Sequence, residues 1–84
     1  MSQEYNVYVT RRFERSFRKL DKVVRDVVLR KVEDVRKNPY IGRRMVTRPV
    51  LYVRVGDYRV FYHLDPKRRV ITLVDVRHRR AAYR

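Results

Sequence analysis

Residues 50–77 hold three β-forming runs separated by two short polar breaks, and this arrangement constrains the fold more than any other feature. Val50-Leu51-Tyr52-Val53-Arg54-Val55 leads into Gly56-Asp57. Tyr58-Arg59-Val60-Phe61-Tyr62-His63-Leu64 then leads into Asp65-Pro66-Lys67-Arg68-Arg69, and Val70-Ile71-Thr72-Leu73-Val74-Asp75-Val76-Arg77 closes the series. Runs rich in β-branched and aromatic residues, joined this tightly, predict an antiparallel meander. Side chains alternate across a strand, so Tyr52 and Arg54 share one face while Val53 and Val55 take the other. In the next run Arg59, Phe61 and His63 oppose Tyr58, Val60 and Tyr62.

The N-terminal half has a different period. Tyr5-Asn6-Val7-Tyr8-Val9 reads as a short strand. Thr10 stands where a helix N-cap belongs, with Glu14 in the first turn, and Phe13, Phe17 and Leu20 recur on one helical face. Asp21 is a second N-cap candidate. Beyond it Val24, Val27, Val28, Val32 and Val35 repeat at helical spacing, and Asn38-Pro39 ends the helix because the residue before proline leaves the α region. Residues 10–37 therefore predict a helical hairpin with a break near Leu20-Asp21, and residues 39–49 a basic connection. The order is β-α-α-β-β-β: an α+β fold, with a mostly antiparallel four-stranded sheet and the helical hairpin on one face. The other face is left for function. Eighty-four residues suffice for one domain, 1–84.

Charge narrows the partners. Lys and Arg number 23 against 9 Asp and Glu, a formal net charge of +14, yet 44% of residues are hydrophobic. Disordered basic tails lack that apolar content, so the chain should fold and its partner should be a polyanion. With no Cys, disulfides, thiol nucleophiles and Cys-ligated zinc are excluded. The uncharged runs are too short to cross a bilayer. The first residues lack the layout of a secretory signal, so a cytoplasmic protein without membrane contact is expected.

Conventional catalytic patterns are sparse. No His or carboxylate set has metal-ligand spacing and no Gly-rich phosphate loop is present, so neither metal nor cofactor is expected. Ser16 lies mid-helix, which argues against a Ser-His-Asp arrangement. What remains is Arg, Tyr and two His. An Arg within a sheet strand, such as Arg59, needs either a carboxylate such as Asp75 or an anionic ligand. Tyr58 and Tyr62 share a face and read as core, His63 as structural, and His78 as a solvated strand end or an acid–base group. Arg77, Arg79 and Arg80 form a basic run with nucleic-acid affinity. Arginines 11, 12, 15, 18 and 25 form a solvated helix face or a docking surface for an acidic protein. The interleaving of Arg with aromatic residues suits RNA, since guanidinium clamps phosphate and rings stack on splayed bases.

The run Tyr52-Val53-Arg54-Val55-Gly56-Asp57-Tyr58-Arg59-Val60-Phe61-Tyr62 resembles the central hairpin of the RelE/ParE toxin superfamily. The ending Val74-Asp75-Val76-Arg77-His78-Arg79-Arg80-Ala81-Ala82-Tyr83 resembles its closing strand and tail, and the hairpin ending Asn38-Pro39 matches too. The resemblance implies a RelE-like microbial RNase-type fold and a toxin of a type II toxin–antitoxin system. On the RelE branch it implies a ribosome-dependent endoribonuclease that cuts mRNA and is held inactive by a RelB-type antitoxin. Arg59 matches the residue implicated in holding the scissile phosphate, and Arg79 the one stabilising transition-state or leaving-group charge. Tyr83 matches a C-terminal Tyr linked to catalysis and stacking, and His78 joins them as an acid–base candidate. Arg48, Tyr52, Arg54, Arg77 and Arg80 are the implied RNA-binding set. The RelE pattern has two Lys flanking the second strand; Val50 and Tyr52 stand there instead, leaving Arg54, Arg48 or His78 to compensate.

Two other readings are compatible with the residues. A ParE-type toxin of the same fold poisons DNA gyrase and cuts no RNA, and retention of Arg59 with Arg79 and Tyr83 favours the nuclease over it. A small basic RNA- or ribosome-binding module would bind with strong salt dependence and lack catalysis.

Overall fold

The computed structural model describes residues 5–82. Its elements run β1 (Asn6–Val9), α1 (Arg11–Arg18), α2 (Lys22–Lys37), a 3₁₀ turn (Pro39–Ile41), β2 (Arg43–Arg44), β3 (Leu51–Val55), β4 (Tyr58–Asp65), β5 (Val70–His78) and the short helix α3 (Arg79–Ala82). The sheet order is β1-β5-β4-β3-β2. The three C-terminal strands form the expected antiparallel meander, and β1 lies parallel to β5 at the edge. The sheet has five strands where four were expected. The additional one, β2, pairs Arg43 with Tyr52 and Arg44 with Leu51, and two arginines in a basic connection carry no alternation to announce it.

The local chemistry explains the breaks. Thr10 caps α1, its Oγ1 accepting from the Phe13 N–H at 3.1 Å. Asp21 occupies the N-cap position of α2 in extended conformation, but its side chain makes no capping hydrogen bond. Asn38 ends α2, and its Oδ1 accepts from the Tyr40 N–H at 3.2 Å. The β3–β4 turn needs Gly56 because φ there is +58°; a two-residue turn of this left-handed form follows the twist of the strands it joins.

Both helices cover one face of the sheet. Phe13, Val28, Val32 and Val35 pack with Val53, Val55, Val60, Tyr62, Ile71, Leu73 and Val76 into one core. Phe17, Leu20 and Val24 close its margin. Val27, at helical spacing with the buried valines, lies on the flank and is exposed, because Val28, Val32 and Val35 already fill the contact with the sheet. Tyr62 is fully buried and donates from its hydroxyl to the Pro39 carbonyl at 2.6 Å, which fastens the end of the helical layer to the sheet. Burial pushes the Tyr62 hydroxyl pKa up, as the charged form would lose its water. Gly42 lies against that hydroxyl so closely that a Cβ there would collide with it. Among the described residues no helix is long and apolar enough to cross a membrane.

Candidate nucleic-acid interface

The face of the sheet away from the helices carries two cross-strand rows. In the first, Arg54 on β3 stands opposite Arg59 on β4, which stands opposite Arg77 on β5. In the second, Arg43, Tyr52, Phe61 and Asp75 follow one another across β2 to β5. The Arg59 guanidinium carbon sits 4.7 Å from the Tyr52 ring centroid, and the Tyr52 and Phe61 rings lie 6.0 Å apart at 47°. Like charges directly opposite on a sheet are destabilising, each pair by a few tenths of a kcal/mol up to about 1 kcal/mol. The three guanidiniums of this row therefore repel one another, which favours an anion that bridges them.

A β-bulge creates this arrangement. Between Tyr62↔Leu73 and Phe61↔Asp75 the register slips by one residue, leaving Val74 extra on β5. Strict alternation from Ile71 and Leu73 would turn Asp75 and Arg77 towards the helices. The bulge reverses the phase: Ile71, Leu73 and Val76 face the core, and Asp75 and Arg77 reach the open face. Thr10 anchors the slip, donating from its hydroxyl to the carbonyls of Leu73 and Val74, each at 3.0 Å.

Asp75 is the buried charged residue of this face, 7% exposed. Its Oδ1 accepts from Ser16 Oγ at 2.6 Å and from the Val76 N–H at 2.8 Å. Its Oδ2 lies 3.4 Å from Arg12 Nε and 4.0 Å from Arg77 Nε. Ser16 thus ties α1 to β5, and Arg12, expected on a solvated helix face, reaches the open face of the sheet. Above Asp75 is a cleft of about 270 Å³ between Phe61, Val74, Arg77, Arg12 and the segment holding Met45, Thr47, Arg48 and Val50. Of its lining, the sequence pointed to Arg48 and Arg77 as RNA-binding. It did not point to Met45 or Thr47, and it marked Val50 only as a residue standing where the RelE pattern has Lys; β2 turns the 43–50 segment that holds them back over the sheet.

At the end of β5, the Arg79 N–H donates to the Asp57 carbonyl at 2.6 Å, which sets α3 against the β3–β4 turn. Arg79 and Arg80 are exposed there and line one depression with Asp57 and His78. His78 pairs in register with Tyr58, and their rings meet edge-on at 5.1 Å. That register places His78 in the row of Val55 and Tyr58, on the helix side of the strand, and its Nδ1 accepts from the Arg80 N–H at 3.2 Å. The structure thus groups Tyr52, Arg54, Arg59 and Arg77 on one face, brings Arg48 beside them, and sets His78, Arg79 and Arg80 at the strand end. Tyr83 lies outside the described residues. Among the described residues no three His, Cys, Asp or Glu side chains gather as a metal site.

Several solved structures share this architecture, among them the following three. A chain of the RelBE2 toxin–antitoxin complex of Mycobacterium tuberculosis superposes with a TM-score of 0.80 at 25% identity, covering 90% of this chain and 92% of that one. An Escherichia coli RelE variant in the free state gives 0.81 at 19% identity, over 96% and 90%. The RelE–RelB complex of Pyrococcus horikoshii gives 0.75 at 22% identity, over 94% and 97%. A comparison with curated protein sequences finds none that matches. The family described as the ParE toxin of the type II toxin–antitoxin system parDE matches residues 7–83, from the first strand through the C-terminal tail. The chain belongs to that family of toxins, within the RelE/ParE superfamily.

Proposed function

We propose that this toxin is a ribosome-dependent endoribonuclease that cuts mRNA and so inhibits translation in the cytoplasm, under the control of a RelB-type antitoxin. The observation that carries the proposal is the Arg54–Arg59–Arg77 row beside the Tyr52–Phe61 pair. It offers guanidiniums for a phosphate and the half-buried Tyr52 ring for a neighbouring base, with the buried Phe61 ring packed beside it. In the reaction, the mRNA 2′-oxygen attacks the adjacent phosphorus and the bond to the 5′-oxygen breaks. The 2′-hydroxyl loses its proton, the 5′-oxygen gains one, and the products are a cyclic phosphate and a free 5′-hydroxyl. Arg59 holds the phosphate, and Arg79 stabilises the charge that builds as the leaving oxygen departs. Arginine stays protonated, so proton movement falls to Tyr83 and, on the leaving-group side, to His78, which shares the strand-end depression with Arg79 and not the face of Arg59. The ribosome contributes by holding the mRNA in line for attack.

The test is a primer-extension map of mRNA translated in vitro with added protein, wild type beside Arg79→Ala. Discrete cuts within ribosome-bound codons that vanish in the variant are expected. Intact mRNA with the wild-type protein would overturn the proposal. The match to the ParE family favours one second reading, inhibition of DNA gyrase; a supercoiling assay in which the toxin arrests gyrase while mRNA stays intact would establish it.

A further inference from the structure

A buried carboxylate is out of place on a face built to attract a polyanion. Asp75 costs the face part of its positive potential, and its tie to Ser16 uses only Oδ1. Oδ2 has guanidinium nitrogens at 3.4 and 4.0 Å, beyond ordinary hydrogen-bond length, so it retains acceptor capacity towards the cleft. The cleft wall beside it is the Phe61 ring, and Arg12, Arg48 and Arg77 supply donors around its rim. Arg77 also belongs to the arginine row. Residues two apart on one strand face are separated by about 7 Å, so the cleft begins roughly one nucleotide's phosphate-to-base span from the row.

From these placements we propose that the cleft over Asp75 is a nucleobase subsite selective for an amino-bearing base, taking cytosine in preference to uracil. The cytosine N4 amine donates to Asp75 Oδ2, as a carboxylate reads that amine elsewhere. The cytosine O2 and N3 acceptors face guanidinium donors, and the ring lies against Phe61. Uracil presents a carbonyl oxygen where the amine would be, and two acceptors then oppose each other. The site rests on the reading of this face as an RNA surface, but it is independent of whether the bound RNA is cut.

Fluorescence anisotropy with two labelled single-stranded RNAs of equal length, oligocytidylate and oligouridylate, tests the proposal without ribosomes or cleavage. The wild type is expected to bind the cytidine strand about tenfold more tightly. Asp75→Asn turns an acceptor into an amide that also donates, and should bring the ratio to one or below, even if both affinities rise with the lost negative charge. Ser16→Ala removes the helix tie but keeps the carboxylate, and should leave the ratio at about ten; this separates base recognition from a merely structural role for Asp75. Equal affinities in the wild type, or a ratio unchanged in Asp75→Asn, would overturn the subsite. Discrimination without mRNA cleavage would instead retain the subsite and remove the nuclease.

Discussion

Val53, Val60 and Val76 form one cross-strand row of the sheet, and Arg54, Arg59 and Arg77 form the next, one residue further along each strand. The first row lies under the helices, with Val60 fully buried. The second faces away from them, with Arg54 and Arg77 exposed. The same three strands thus present an apolar surface that stabilises the fold and a cationic surface that strains it. Stability is concentrated on one side of a single layer, which leaves the other side able to carry repelling charges for a ligand.

The largest effect that would sharpen this contrast lies on the cationic side. Arg59→Ala should lower the cleavage rate about 100-fold or more, the scale of losing a group aimed at transition-state charge. Its thermal unfolding should stay at or slightly above wild type, because the change also removes two like-charge pairs. If activity and folding fell together, the two faces would not be separable. Val60→Ala is the mirror experiment. It should cost about 2 kcal/mol of stability by opening a cavity, read by urea denaturation, and leave cleavage by the folded fraction intact. Next in size is Thr10→Val, which removes the cap of α1 and the hydroxyl that holds the bulge. About 1 kcal/mol of destabilisation is expected, together with weaker RNA binding because Asp75 and Arg77 depend on the bulge for their direction. The smallest effect has the opposite sign: Arg54→Gln should raise stability by about 0.5 kcal/mol in dilute buffer, and the gain should fade in molar salt as screening removes the repulsion.

The sequence made most of the fold legible. Helical periodicity in residues 10–37 and strand alternation in residues 50–64 placed Phe13, Val28, Val32, Val35, Val60 and Tyr62 in the core. The same alternation put Tyr52 with Arg54, and Arg59 with Phe61, on the opposite face. Register was harder. That Arg54, Arg59 and Arg77 share one row depends on the Gly56-Asp57 turn and on the slip at Val74. The apolar spacing Ile71, Leu73, Val76 records that change of phase, but three residues of spacing in a run already rich in valine are a faint signal. Asp75 was legible as a possible partner for an arginine. Its links to Ser16 and Arg12 were not, because they join residues about sixty positions apart. The cleft depends likewise on β2, a strand too short to leave a pattern.

The claim that the arginine row is the RNA-binding face can be tested residue by residue. A two-dimensional amide NMR titration of the protein with a short single-stranded RNA would locate the contact directly. Shifts are expected at residues 52–54, 59–61 and 75–80, at Arg12 and along the adjoining 45–50 segment. Shifts concentrated instead at Arg11, Arg15, Arg18 and Arg25 on the helices, with the sheet rows silent, would contradict that claim.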